Sequence, residues 1–275
     1  MPRRRISSDE SKLQKGRGQG HGENYTPFLR TSEVPSHGKS TRVKGWKTGR
    51  VHHFLSTHES NYFYILEWSP AVVDIREQFP LPLEETTKIA ERLAIKHPVK
   101  PKDKSMAVVT TDFLIDVAHE GVATLKARTV KPSNDLNSLR TIEKLEIERT
   151  YWRERGVDWG IVTECEIHKP LAQNVEWIHT ALDFDDAPGI DPAHIPFIES
   201  SLFDFLSTTP TASLAEAGIE VDIRLGLKGG ISLWVMRHLI ASRQWEVNMM
   251  SRIYPSKPLV LRRSLSPAMA ERRCQ

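Results

Sequence analysis

Cysteine is nearly missing from this chain. The two among its 275 residues, Cys165 and Cys274, have neither metal-ligand spacing nor the pattern of a disulfide framework. A disulfide-stapled domain is excluded, and a reducing compartment suits both thiols. Long apolar runs are missing too: no segment approaches the roughly 18–20 apolar residues that a membrane span needs. The basic start, Met1-Pro2-Arg3-Arg4-Arg5, is followed by no apolar stretch, so a secretory signal is not expected. The glycine-rich run Gly16-Arg17-Gly18-Gln19-Gly20-His21-Gly22 lacks a preceding strand and a closing Gly-Lys-Ser/Thr, which excludes a phosphate loop. It reads either as an arm that follows a nucleic-acid backbone or as a disordered leader. No internal repeat is visible.

What is present is enough apolar content for a real core, 39%, with 27% charged residues, the balance of one large or two ordinary globular domains. The net charge of +3 conceals an asymmetry. Residues 1–53 hold 12 Lys/Arg against 4 Asp/Glu, residues 251–275 hold 6 against 1, and the 197 residues between are left at −10. Basic ends around an acidic middle suit a polyanion gripped by the flanks and an acidic site that takes cations; solvated tails would give the same count.

Apolar periodicity sets out the elements. Residues 1–50 read as arm and loop. From Phe54 to Trp68 the period is helical, with Leu55, Glu59, Tyr62, Phe63 and Leu66 on one face and Ser56 or Thr57 as cap. Glu59 is the anomaly on that face: a carboxylate among apolar neighbours is costly without a partner or a metal, unless it sits at the edge and reaches water. A strand follows over Val72–Phe79, a helix over 84–96, and a β-hairpin over Met106–Val117 and Val122–Lys131, stopped by Pro132. Residues 135–155 read as a helix with Leu136, Leu139, Ile142, Leu145, Tyr151 and Trp152 inward and Gly156 at its end, and Asp158–Thr163 as a strand. Helix, strand, helix, hairpin, helix, strand predicts an α/β fold with a mixed sheet flanked by helices.

Beyond it, residues 171–182 are helical and Asp183–Pro192 is an acidic linker. Helices are expected over Ala212–Ala217 and Ile231–Ser242, and a short strand or hairpin over Gln244–Tyr254. Short helices followed by a hairpin suit a winged-helix-like domain; a plain helical bundle is the alternative.

The chemistry-bearing residues lie on the hairpin. Asp112 stands on one strand, and Thr129 and Lys131 on the next share a face, with Val130 between them. An acid on one strand and polar-x-Lys on its neighbour is the arrangement of the PD-(D/E)xK nucleases, in which carboxylates hold a divalent metal and a lysine orients water. The pattern is short, and hairpins with one Asp and one Lys are commonly just solvated strands.

Longer runs carry a sharper resemblance. Gly16 to Gly22, Lys47-Thr48-Gly49-Arg50-Val51-His52-His53, Leu66-Glu67-Trp68, Asp74-Ile75-Arg76-Glu77-Gln78-Phe79-Pro80-Leu81, Lys96-His97-Pro98, Thr111-Asp112-Phe113-Leu114 and the segment Glu143 to Trp152 resemble the TnsA endonucleases over roughly residues 15–180. The resemblance implies a restriction-endonuclease-like catalytic domain over 1–168 with a basic N-terminal arm. It also implies a mainly helical, winged-helix-like DNA- or partner-binding domain over 169–275. The implied activity is Mg²⁺-dependent cleavage, with Mn²⁺ as substitute, of the 5′ strands at transposon ends. The implied partners are DNA, a TnsB-like DDE transposase subunit and a TnsC-like AAA+ regulator, and the implied location is the cytoplasm, at the nucleoid. Position by position, Glu59 matches the helix-borne acid, Asp112 the metal-binding aspartate, Lys131 the catalytic lysine, and Glu148 a further acid near the site, unless Glu148 is an exposed ion-pair partner. Thr129 departs from the family, which has glutamine there. The Val130 carbonyl would then bind the metal directly and Thr129 through water. That departure keeps open a non-catalytic bridging subunit on a decayed nuclease fold; a stand-alone repair or restriction nuclease is the third reading. His52-His53 with His58 read as packing or phosphate contacts, Arg76-Glu77-Gln78 as a DNA contact or an internal ion pair, and Arg262-Arg263 and Arg272-Arg273 as tail contacts or solvated charge.

Overall fold

The computed structural model describes residues 8–33, 40–101 and 103–264; Arg3 to Arg5, Arg272-Arg273 and Cys274 lie outside them. Two compact units follow one another, residues 1–167 and 168–275. The elements of the first are α1 (Ser8–Gln14), β1 (Thr41–Lys44), β2 (Val51–Phe54), α2 (Thr57–Trp68), β3 (Val72–Pro80), α3 (Leu83–Arg92), β4 (Thr110–His119), β5 (Val122–Val130), α4 (Leu139–Arg153) and β6 (Asp158–Val162).

A four-stranded sheet in the order β3-β4-β5-β6 forms its centre. β3, β4 and β5 run antiparallel, and β6 joins β5 in parallel, so the sheet is mixed as the element order requires. Successive residues of a strand point to opposite faces. Leu114 packs with Leu81, Ile89, Ala90, Ala127, Ile147, Tyr151 and Trp152 beneath α3 and α4. Its neighbour Phe113 meets Phe54 and Tyr62 on the side of β2 and α2. The family fold expectation holds: a central mixed sheet carries helices on its faces.

The sequence reading is corrected at several points in this unit; the hairpin strand predicted from Met106, for one, begins at Thr110. The first fifty residues are not only arm and loop. β1 and β2 form a hairpin, and residues 16–28 lie on β3, with Tyr25 and Phe28 buried. The Gly22 N–H donates to Asp74 at 3.1 Å. A Cβ on Gly18 would come within 2.1 Å of the Pro80 ring, so this glycine serves close packing on the strand rather than a loose arm. Helix α3 stops at Arg92 instead of 96 because Ala94 turns left-handed, φ 55°, and the Ile95 N–H closes onto the Ala90 carbonyl. Such a stop normally advertises itself with glycine, and here the residue is alanine. Leu139 and Ile142 at the start of α4 are exposed, and the buried side starts at Leu145; the sheet does not cover the first turns.

The buried acid of β3 ties these parts together. Glu77 is fully buried and accepts from Arg50 (2.9 and 2.5 Å), from His52 Nδ1 (2.8 Å) and from the His53 N–H (3.1 Å). Burial alone would raise its pKa, but His52 and Arg50 outweigh it and hold the carboxyl at about 2. Arg76 pairs with Asp116 at 2.8 Å. The Arg76-Glu77 segment is therefore internal ion pairing, not a DNA-facing edge.

The second unit holds α5 (Lys169–His179), α6 (Ile195–Thr208), α7 (Leu214–Leu225), α8 (Ile231–Ala241) and the antiparallel pair β7 (Trp245–Val247) and β8 (Leu261–Arg263). Ile231, Trp234, Val235, His238 and Leu239 are buried as the periodicity of α8 predicts. The terminal pair closes with 261–263 rather than within 244–254, because Val247 pairs with Leu261. Arg263 is engaged by Glu199 at 2.8 Å and is not a free tail charge. Among the described residues no helix is long and apolar enough to cross a membrane.

Replacing Glu77 with alanine would leave the Arg50 guanidinium buried without its acid. Loss of one partner of a buried pair costs about 3–5 kcal/mol, to be read by urea unfolding at pH 7. The unreplaced chain should lose stability from this group on acidification from about pH 4.5 toward 2, because its folded pKa lies below the ordinary one.

Candidate metal centre

The first acid comes from a helix start. Ser56 caps α2: its Oγ accepts from the Glu59 N–H at 3.2 Å and donates to Glu59 Oε1 at 2.9 Å. The Leu55 N–H donates to Glu59 Oε2 at 3.0 Å. The serine cap and the Leu55 N–H just before it together hold the carboxylate at the helix mouth. Glu59 is buried. Burial first, and the nearby Asp112 second, push its pKa up to about 7 against the bonds from Leu55 and Ser56 and the charge of Lys131.

The second acid sits where two strands part. The β4–β5 register ends at Phe113↔Arg128. Beyond it the Val130 N–H donates to the Asp112 side chain, Oδ2, at 2.8 Å. Lys131 Nζ donates to the same oxygen at 2.8 Å and to the Val130 carbonyl at 3.0 Å. Burial works to lower the Lys131 pKa, but Asp112 outweighs it and holds the ammonium above its ordinary value. The lysine is therefore charged and aimed at the acid.

Between the two acids stands a residue that sequence reasoning placed elsewhere. Gln78 lies on β3 between the register pairs Glu77↔Phe113 and Phe79↔Thr111, hence opposite Asp112. Its Nε2 donates to Glu59 Oε2 at 3.3 Å and to Asp112 Oδ1 at 3.4 Å. Its φ is 50°, a left-handed conformation that is rare for a non-glycine residue within a strand and recurs where a site imposes it. Its position two residues from Arg76 in an alternating strand gave no signal of this, because the left-handed turn is not written in the residue type.

Glu148 is also buried, which removes the reading as an exposed ion-pair partner. Its Oε1 accepts from Thr111 at 2.7 Å, from Trp159 Nε1 at 3.1 Å and from the Thr129 hydroxyl. Burial, then Asp112, push its pKa up to about 7. Thr129 is therefore turned to Glu148, while Lys131 turns to Asp112. The strand expected to present both to one point divides them between two carboxylates.

The histidines fall outside this centre. His52 is buried on Glu77, and His53 Nδ1 contacts the Thr31 hydroxyl at 3.2 Å. Among the described residues one group has the spacing of metal ligands, His21 with Asp74 and Asp116. Arg76 already stands against both of its carboxylates, 3.6 Å from Asp74 and 2.8 Å from Asp116, so a cation there would displace or face a guanidinium. Glu59 and Asp112 fit a divalent cation better. They are hard oxygen donors of the kind Mg²⁺ takes, they are buried, and their mutual repulsion is met there by a neutral amide and one lysine.

A pH dependence follows from Glu59 and Glu148. Their folded pKa values of about 7 exceed the ordinary carboxylate value. The folded state then retains protons that the unfolded chain has released, and stability from these groups falls as pH rises from about 4.5 to 7. Mn²⁺ competes with the proton at Glu59, so its thermal stabilisation of the chain should be larger at pH 8 than at pH 6. Equal shifts at the two pH values would contradict this placement.

Two family models match. That of the TnsA-like endonuclease N terminal covers residues 69–164, which include Gln78, Asp112, Thr129, Val130, Lys131 and Glu148 but not Glu59. That of the TnsA endonuclease C terminal covers residues 166–249. The Transposon Tn7 transposition protein TnsA of Escherichia coli is 46% identical over 170 residues, 62% of this chain and 61% of that protein's own length. With two family models in the expected order over the mixed sheet and the helical unit, and an acid–lysine pair at the strand ends, the chain belongs to the TnsA endonuclease family.

Proposed function

We propose that this chain is a metal-dependent DNA endonuclease, the subunit that cuts the 5′ strands at transposon ends within a heteromeric transposase. The observation that carries the reading is the contact of Lys131 Nζ with Asp112 at 2.8 Å across the parted strands, with Glu59 on the other side of Asp112. A fixed acid that can hold a cation and a fixed ammonium beside it can neutralise the charge that develops on a phosphodiester and orient a water.

Glu59, Asp112 and the Val130 carbonyl would hold Mg²⁺ or Mn²⁺. A cation bound there supplies charge neutralisation at the scissile phosphate and lowers the pKa of a water. The chain's own groups do the rest. Asp112 and the Val130 carbonyl hold the Lys131 ammonium in one place, where it orients the attacking water and faces the developing charge. Glu148 fixes the Thr129 and Thr111 hydroxyls behind Asp112 and so sets the strand ends in register. The products would be a 3′-OH and a 5′-phosphate. DNA at the transposon ends, a TnsB-like DDE transposase and a TnsC-like AAA+ regulator are the proposed partners, residues 169–275 the winged-helix-like part that meets DNA or a partner, and the cytoplasmic nucleoid the proposed location.

One observation favours a second reading. The Thr129 hydroxyl is given to Glu148 and offers little to a cation at Asp112, as a decayed, bridging subunit would have it. Such a relic binds DNA without binding Mg²⁺ or Mn²⁺ at Asp112, which a metal titration separates.

Incubation of the chain with its transposase partner, Mg²⁺ and end DNA should give nicks on the 5′ strands. Asp112→Ala and Lys131→Ala should each lower the rate by at least about 10²-fold while the thermal unfolding profile stays cooperative. Cleavage at the unaltered rate in both variants would remove this site from the reaction.

A further inference from the structure

Gln78 is a buried polar group beside the proposed metal site to which the roles above give no part in binding the cation. Its amide is neutral, yet it occupies the space between two carboxylates. Its Nε2 serves both acids, at 3.3 and 3.4 Å, and its Oε1 accepts from the Thr110 hydroxyl at 3.4 Å. All three bonds are at the long end of the hydrogen-bond range, so each is weak. The backbone at Gln78 is left-handed, φ 50°, and its carbonyl accepts the Phe28 N–H at 3.3 Å. A left-handed backbone is unfavourable for a non-glycine residue, and here it goes with an amide placed between Glu59 and Asp112.

We propose that Gln78 is a metal-site residue whose amide turns over when a divalent cation binds, replacing two N–H donors by the Oε1 ligand. This rests on the endonuclease reading above. The two ends of a carboxamide are nearly equal in shape, so a half-turn about the last side-chain bond disturbs no packing. They are opposite in character: the nitrogen only donates and the oxygen only accepts. Facing two carboxylates, the nitrogen end is favoured. Facing a cation held by the same carboxylates, the nitrogen cannot ligate and the oxygen can, so the cation itself is the ligand with differential affinity for the two orientations. Thr110 tolerates both, since a hydroxyl donates to Oε1 in one and accepts from Nε2 in the other. The turn thus leaves no buried group unpaired. It also brings a neutral oxygen donor to a centre where the Thr129 hydroxyl is taken by Glu148.

The test is calorimetric titration of the full chain with Mn²⁺ and with Cd²⁺ at pH 8, on the wild type, Gln78→Met and Gln78→Glu, with Asp112→Ala marking the binding that belongs to this site. Methionine keeps the length and unbranched shape, removes the oxygen and offers a soft thioether. It should weaken Mn²⁺ binding at least about tenfold, which is about 1.4 kcal/mol, and raise the preference for Cd²⁺. Glutamate restores an oxygen with charge and should bind Mn²⁺ at least as tightly as wild type; it decides the matter if the methionine variant does not fold. A folded Gln78→Met with wild-type Mn²⁺ affinity, an equal loss of both metals in it, or a Gln78→Glu that binds Mn²⁺ more weakly would overturn the proposal. Wild-type binding with an unchanged methionine variant removes only this inference, whereas a wild type that binds no Mn²⁺ at Asp112 removes it together with the metal-dependent reading.

Discussion

Two buried carboxylates, Glu59 and Glu148, stand close enough to Asp112 for its charge to raise their pKa, and the groups around all three acids are set against that repulsion. Glu59 and Glu148 are both pushed up to about 7, each by burial first and by Asp112 second. Removing a charge from water is expensive unless it is paired, and each acid is met differently. Glu59 leans on the start of α2, Asp112 on a strand N–H and the Lys131 ammonium, and Glu148 on two hydroxyls and an indole. The Glu77 hub holds β2 to β3 through Arg50 and His52, and so fixes where the chain enters α2 and where the Ser56 cap can place Glu59.

The division between Asp112 and Glu148 is chemical as well as spatial. Asp112 has its two oxygens met from different sides, one by Gln78 and one by Val130 and Lys131. Glu148 gathers three donors on one oxygen in the interior, and Trp152 in turn donates to Thr111 at 2.7 Å. A carboxylate facing an ammonium suits charge chemistry, and one enclosed by two hydroxyls and an indole suits the setting of strand ends. Thr129 belongs to the second group. Glutamine at that position would carry an amide farther from the strand, and threonine is short enough to stay with Glu148.

Much of this was legible in the sequence where a residue's environment is local. The α2 stripe with an acid on it, the β4–β5 hairpin with Asp112 and Lys131 on neighbouring strands, and the mixed sheet all follow from period and turn chemistry. What was not legible depends on conformation that residue type does not announce. Ala94 ends α3 in a left-handed turn without glycine, and Gln78 takes φ 50° inside a strand. The glycine run at 16–22 reads as an arm or a leader because glycine permits either; Gly18 instead packs against Pro80. Leu139 and Ile142 carry the helical period but lie where the sheet gives α4 nothing to cover them. Periodicity states which residues could be inside, and the partner surface decides which are.

Anomalous diffraction from Mn²⁺-soaked crystals of the full chain tests the central placement most directly. A manganese peak is expected between the carboxylates of Glu59 and Asp112, within reach of the Val130 carbonyl. A peak confined to the cluster of His21, Asp74 and Asp116, or no peak beside Asp112 at saturating Mn²⁺ and pH 8, would contradict it.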